Sequence, residues 1–410
     1  MNPRMPSSLN IRLGLMMLLN YIIWGSWYVT ISTYLTTTLK FTGTQAGAVF
    51  GTASVAAVLS PFFVGLVADR LFATEKVLAA LYAIGAVLVF AVTRATSFAA
   101  VYGLMLLYCL SYFPTIALTN SLAMQNVKNV GRDFPPIRMM GTLGWILVGL
   151  LIGYLRVEAS SMQFLLAGCA SLVMSLFSLT LLPHTPPRAK GEPVSIRNIL
   201  GLDALQMMKE PSFAIFIVAS ILAFIPLTFY FSFTNDYLND VGVQNAAGKM
   251  TLGQFSELFM MLMMPLIFRW VTVKYILVAG LLSWTIRYAL LANGNAGSGM
   301  WMFYLAIVLH GICYDFFFMT GQMYTDQEAP PHLRGTAQGF ITLVTYGVGM
   351  LLGSFLSGGA VDYFTHTSGG TVTRNWSAFW LSSAGMAFVI LLMILLFFRN
   401  SEKIRQKVAA

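Results

Sequence analysis

Charge is scarce in this chain. Asp, Glu, Lys and Arg make up 10% of its 410 residues, whereas 57% are hydrophobic. Average soluble domains are about 25% charged, so an ordinary water-soluble fold is excluded. Cysteine is scarce too: Cys109, Cys169 and Cys313 all fall inside apolar runs, which leaves no disulfide framework. The four histidines, His184, His310, His332 and His366, are scattered without metal-ligand spacing, and no nucleophile is matched to a base. The chain is therefore expected to be no enzyme and to need no metal or cofactor. Alternating ten-residue strands are missing, against a membrane barrel. No repeated charged or carbonyl-rich filter is present, against a channel.

What remains is a series of long apolar runs, with a mean hydropathy of +0.74. About 20 apolar residues cross a bilayer as a helix. That window predicts twelve spans, from Leu13–Leu35 to Trp376–Phe398. The first of them carries Trp24 and Trp27 and has no small-residue cleavage site, so it reads as a span and not a signal peptide. The net charge of +9 could point to nucleic acid, but its distribution does not. With the N-terminus in the cytoplasm, seventeen basic residues fall in inner loops and tails and five in outer ones. This is a positive-inside pattern with both termini cytoplasmic. The expected fold class is an all-α polytopic membrane protein.

The longest polar interruption, Pro183–Glu210, divides the spans six and six. The predicted organisation is an N-terminal six-helix bundle over 1–182, a cytoplasmic linker over 183–211 and a C-terminal bundle over 212–410. Weak echoes near an offset of 200 residues support a parallel repeat. Arg138 opens span five as Arg334 opens span eleven, and the pair Gly149/Gly153 matches Gly349/Gly353. Such folds place the solute near the midplane between the halves.

Ionisable groups stranded in spans cost several kcal/mol, about 2.5–3.5 on insertion scales, and so mark function. Span eight carries Gln254 and Glu257, three residues apart and thus on one helix face. A carboxyl group drawn out of water favours its neutral form and can exchange a proton near neutral pH. Its alternative role is as a structural partner of Arg287 in the next helix. Span ten carries His310 and Tyr314 on one face, with Asp315 beside them, either coupling to protons or pairing with a neighbouring helix. Arg138, Thr142 and Trp145 recur at i, i+4 and i+7 where span five begins, after Pro135 and Pro136. A guanidinium, a hydroxyl and an indole suit a solute with hydroxyls and a flat ring. Arg138 could instead anchor to headgroups or to Asp133. Trp24, Trp27, Trp301 and Trp376, near span ends, read as interfacial anchors.

The loop after span two reads Gly65-Leu-Val-Ala-Asp69-Arg70 and resembles the Gly-x-x-x-Asp-Arg loop motif of the major facilitator superfamily. Further segments are Trp24-Gly-Ser-Trp27, Phe-Pro-Thr-Ile-Ala-Leu-Thr-Asn at 113–120, Asp-Phe-Pro-Pro-Ile-Arg at 133–138, Gly-Leu-Asp-Ala at 201–204 and Gln254-x-x-Glu257. Together these resemble the nucleoside:proton symporter family of that superfamily, over essentially the whole chain and with the pattern of members known only as candidate nucleoside transporters. The resemblance implies a major facilitator fold of twelve helices in two pseudo-repeated bundles. It implies that Gly65, Asp69 and Arg70 help hold one conformational state. It also implies that Arg138, Thr142, Trp145, Thr228, Phe231, Gln254, Glu257, His310 and Tyr314 bind the solute, and that Glu257 or Asp315 carries the proton. Span seven departs from the family: Thr228 and Phe231 stand where a glutamine and an asparagine read the nucleoside. His310 likewise replaces a tyrosine.

The expected function is import of nucleosides, or a related ribosylated or sugar-like solute, driven by protons through alternating access. The expected setting is a monomer in the lipid of a bacterial inner membrane, with no nucleic-acid partner. The alternative is a porter for another solute, either a sugar importer or a proton-driven exporter of amphipathic compounds.

Overall fold

The computed structural model describes residues 7–64, 71–187, 201–368 and 371–399. The loop motif Gly65, Asp69 and Arg70, and much of the linker, lie outside the described residues. The long helices are α1 (Ser7–Gly25), α2 (Gly43–Phe63), α3 (Thr74–Val92), α4 (Phe98–Asn126), α5 (Val130–Leu155) and α6 (Met162–Thr180). They continue as α7 (Pro211–Asp240), α8 (Ala246–Trp270), α9 (Val273–Asn293), α10 (Met300–Glu328), α11 (Pro331–Tyr363) and α12 (Trp376–Phe397). Ten of these, α3 to α12, are long and apolar enough to cross a membrane. A helix satisfies its backbone hydrogen bonds internally, which is why apolar runs of this length take that form in lipid. Among the described residues the only strands are β1 (Thr365–Ser368) and β2 (Thr371–Arg374), an antiparallel hairpin before α12.

The chain divides into two compact units, Met1–Phe41 with Ala48–Ile196, and Thr42–Gly47 with Arg197–Ala410. In the first, α1 packs on α5 and α6, and α3 packs on α4 and α6. In the second, α7 packs on α11 and α12, and α9 packs on α10 and α12. Both units thus share one neighbour pattern at an offset of six helices.

The first predicted span, Leu13–Leu35, is not one helix: α1 ends at Gly25, and turns over 26–30 lead into the short helical segments Ile31–Thr33 and Tyr34–Thr38. Two further features depart from the sequence expectation. The helix holding Arg138 does not start at the prolines. It starts at Val130, where the Asn129 side chain accepts from the Arg132 N–H at 3.1 Å. Pro135 and Pro136 then sit inside α5. Their missing N–H groups would have served carbonyls at Gly131 and Arg132, two exposed residues whose oxygens water can reach. Secondly, α10 and α11 are not continuous α-helices. A wider π turn covers Asp315–Met319 in α10 and another covers Leu343–Gly349 in α11. Such turns cluster at functional positions.

Candidate functional site

In the first unit, α1 and α5 approach closely because Gly144 faces the Leu18 carbonyl, where a Cβ would lie 2.3 Å from the oxygen. That contact places Trp145 against the aromatic face of α1. Its ring lies 5.2 Å from Trp24, nearly perpendicular at 83°, and 5.9 Å from Tyr28. Trp24 also meets Tyr21, Tyr112 and Phe113 edge-on or tilted. Arg138, half-buried, holds its guanidinium carbon 4.5 Å from the Tyr21 ring centroid, a cation–π contact. Asp133 instead takes the Arg132 side chain, at 2.7 Å. Thr142 is half-buried, one turn after Arg138.

This cluster changes the reading of the tryptophans. Trp27 is 1% exposed and donates from Nε1 to the Tyr108 hydroxyl at 3.2 Å. Trp24 has its Nε1 buried without a hydrogen-bond partner among the described residues. Trp376 is buried and donates to Asp240 at 2.6 Å. Trp27 and Trp376 are interior residues and Trp24 is half-buried among aromatic rings, whereas Trp301 is exposed as an interfacial anchor would be. Hydropathy marks the end of a run but not which neighbour covers it.

In the second unit the crossing of α8 and α10 builds the polar group. Gly311 faces Ser256 so closely that a Cβ would sit 2.4 Å from the Ser256 carbonyl. The Ser256 hydroxyl donates to the Val308 carbonyl at 2.5 Å. Glu257, next in line, therefore meets His310, with Oε2 at 3.9 Å from Nε2. The other ring nitrogen of His310, Nδ1, lies 2.9 Å from Nη1 of Arg287 on α9. Arg287 is fully buried, and its guanidinium carbon stands 3.5 Å above the Tyr230 ring centroid. Its Nε and Nη2 find no hydrogen-bond partner among the described residues. Glu257 and Arg287, considered as a possible direct pair, each meet one side of the histidine.

The remaining expected residues gather to different degrees. Phe231 meets the His310 ring edge-on at 5.9 Å, and Tyr230 stacks on it at 5.6 Å. Tyr314 lies 5.6 Å from His310, and its hydroxyl bonds that of Tyr346 at 2.5 Å. Gln254 is half-buried on α8, one turn from Glu257. Asp315 is 1% exposed, and its Oδ2 has no hydrogen-bond partner among the described residues. Thr228 is fully buried, donates to its own helix at the Phe224 carbonyl at 2.6 Å, and packs on Gly353. Its hydroxyl is thus committed to a helix contact. Tyr21, Tyr28, Tyr230 and Tyr346 escaped the sequence reading. The available signal was their spacing beside residues already named, as Tyr21, Trp24 and Tyr28 recur at i, i+3 and i+7.

The first unit thus offers aromatic surfaces and a guanidinium, and the second an amide, a half-buried carboxyl group at Glu257 and a buried one at Asp315. Residues 7–403 match the family model described as nucleoside H+ symporter. The candidate nucleoside transporter YegT of Escherichia coli strain K12 is 40% identical, covering 95% of this chain and 94% of its own. The nucleoside permease NupG of the same strain is 31% identical, covering 96% of each. The crystal structure of NupG matches with a TM-score of 0.87 over 96% of this chain and all of its own, at 31% identity. A peptide transporter at 14% identity shares the fold alone, with a TM-score of 0.76 over 97% of this chain and 94% of its own. On this match across nearly its full length, the chain belongs to the nucleoside H+ symporter family.

Proposed function

We propose that the chain imports nucleosides together with protons by alternating access, as a monomer in the inner membrane of a bacterium with both termini cytoplasmic. Family membership supports the reaction. The observation in the structure that carries the reading is a carboxyl group, Glu257, held on an apolar helix against a buried histidine–arginine pair. The α1 and α2 helices, at 19 and 21 residues, support twelve spans when added to the ten. The shared packing pattern supports two six-helix bundles joined through 183–211.

In the first unit, Trp145 offers a stacking face for a base, while Arg138 and Thr142 offer hydrogen bonds to hydroxyls. In the second, Gln254 reads polar edges in either direction, while Phe231, His310 and Tyr314 supply aromatic surface. Glu257 takes the proton, with Asp315 as the second acid; no cofactor is needed. A sugar importer or an exporter of amphipathic compounds has no comparable support.

The test is uptake of labelled nucleosides into proteoliposomes, with and without an inward proton gradient. The gradient should drive concentration of at least one nucleoside. Glu257→Gln should abolish accumulation while nucleoside exchange persists in part. Unchanged accumulation in that variant removes Glu257 from the coupling step.

A further inference from the structure

We infer that Arg287 is a positioning residue for proton coupling, acting on Glu257 through His310. The inference rests on the reading of Glu257 as a proton site and adds to it the device that sets when the proton is held.

Hydrogen-bond chemistry leads to it. Arginine has only donors. At 2.9 Å from Nη1 of Arg287, Nδ1 of His310 must therefore be the accepting, unprotonated nitrogen. A neutral imidazole then carries its hydrogen on Nε2, the nitrogen that faces Oε2 of Glu257 at 3.9 Å. A second proton on His310 would set two donors against each other beside a buried cation. His310 thus passes on polarity without itself storing the proton. The guanidinium favours the ionised carboxylate, and the oriented Nε2–H is the group that transmits this preference.

Among the described residues, the following titratable groups surround the relay. Tyr230 of α7 lies under the guanidinium, and Tyr288 and Cys313 lie beside it. Tyr314 and Asp315 of α10 are within electrostatic reach of Glu257, and Tyr346 of α11 bonds Tyr314. Of the groups named here, Arg287 carries the positive charge.

The experiment is the pH dependence of gradient-driven uptake of a labelled nucleoside in proteoliposomes, alongside nucleoside binding to the purified protein. The variants are Arg287→Met, His310→Tyr, His310→Gln and Glu257→Gln. Tyrosine is the residue the family pattern has at this position, so the helix should accept it. It offers only a C–H where Nδ1 accepts. Both Arg287→Met and His310→Tyr should move the alkaline limb of uptake to higher pH, by about one unit, the scale on which a single neighbouring charge acts. Combining them should shift it no further, because both cut one path. His310→Gln keeps an acceptor and a donor and should lie nearer the unsubstituted protein.

If His310→Tyr binds nucleoside but keeps the original pH profile, the relay is wrong, even should Arg287→Met fail to fold. If Glu257→Gln still accumulates nucleoside, the reading of Glu257 itself fails. Loss of accumulation in Glu257→Gln with unshifted profiles in the other variants overturns only the relay.

Discussion

Gly311 on α10 and Ser256 on α8 touch backbone to backbone, leaving 2.4 Å between the Ser256 carbonyl and the place a Cβ at 311 would take. No side chain can yield at such a contact, so any larger residue must part the helices. Gly311→Ala should therefore widen the separation of Glu257 and His310 while leaving the rest of the second unit folded. Proton-driven uptake is expected to fall at least about tenfold, because displacements near 1 Å at a reacting group can cost two orders of magnitude. Wild-type uptake in this variant would show that the crossing does not set the carboxyl position.

Trp145 stands nearly perpendicular to Trp24 and steeply inclined to Tyr28, so neighbouring rings fix its orientation. Aromatic pairs contribute about 0.5–1.5 kcal/mol beyond area burial, and a tenfold affinity change is about 1.4 kcal/mol. Trp145→Ala should raise the nucleoside KM about tenfold or more, with Trp145→Phe intermediate. Initial rates over a range of nucleoside concentrations check this. An unchanged KM in Trp145→Ala would remove the stacking role.

Asn20 knits the first unit together without touching the expected solute residues. Its amide donates to Thr119 at 3.1 Å, its side-chain oxygen accepts from Tyr82 at 2.9 Å, and its backbone carbonyl accepts from Tyr112 at 2.7 Å. Asn20→Leu takes away the acceptor of the buried Tyr82 hydroxyl, at about 1–3 kcal/mol for a group left unsatisfied, while Tyr112 keeps the backbone carbonyl and Thr119 its bond to the Thr115 carbonyl. The unfolding temperature in detergent should drop, while KM in the protein that remains folded stays the same. A changed KM with unchanged stability would contradict the structural role.

The helices were legible because hydropathy reports on lipid, which each apolar run meets for itself. Glu257, His310, Asp315 and Arg287 stand out in the sequence because a polar group in such a run is costly, although coupling and helix pairing explain it equally well. Pairing between helices was not legible. Arg287 could be assigned to Glu257 on charge alone, and only the geometry places His310 between them. Trp24 and Trp27 misled for the same reason, since a tryptophan at the end of a run suits an interface as well as an aromatic core. The π turns at Asp315–Met319 and Leu343–Gly349 have no compositional mark.

Packing between α7 and the segment leading into α12 gives a last test. Asp236 is 1% exposed and meets Nη1 of Arg374 at 3.4 Å, while Asp240 meets the same nitrogen at 3.9 Å. The Arg374 guanidinium also lies 5.6 Å from the Trp376 ring. Removing one partner of a buried ion pair strands the other charge, at about 3–5 kcal/mol when burial is complete, whereas removing both is often near neutral. The side chain of Arg374 is 18% exposed, which places the loss at or below the lower end of that range. Arg374→Met should therefore lower the unfolding temperature clearly, and adding Asp236→Asn should recover part of the loss. Thermal unfolding of the three proteins in detergent at fixed pH reads this directly. Equal destabilisation in the single and double variants would mean that Arg374 acts through its contact with Trp376 and not through the buried carboxylate.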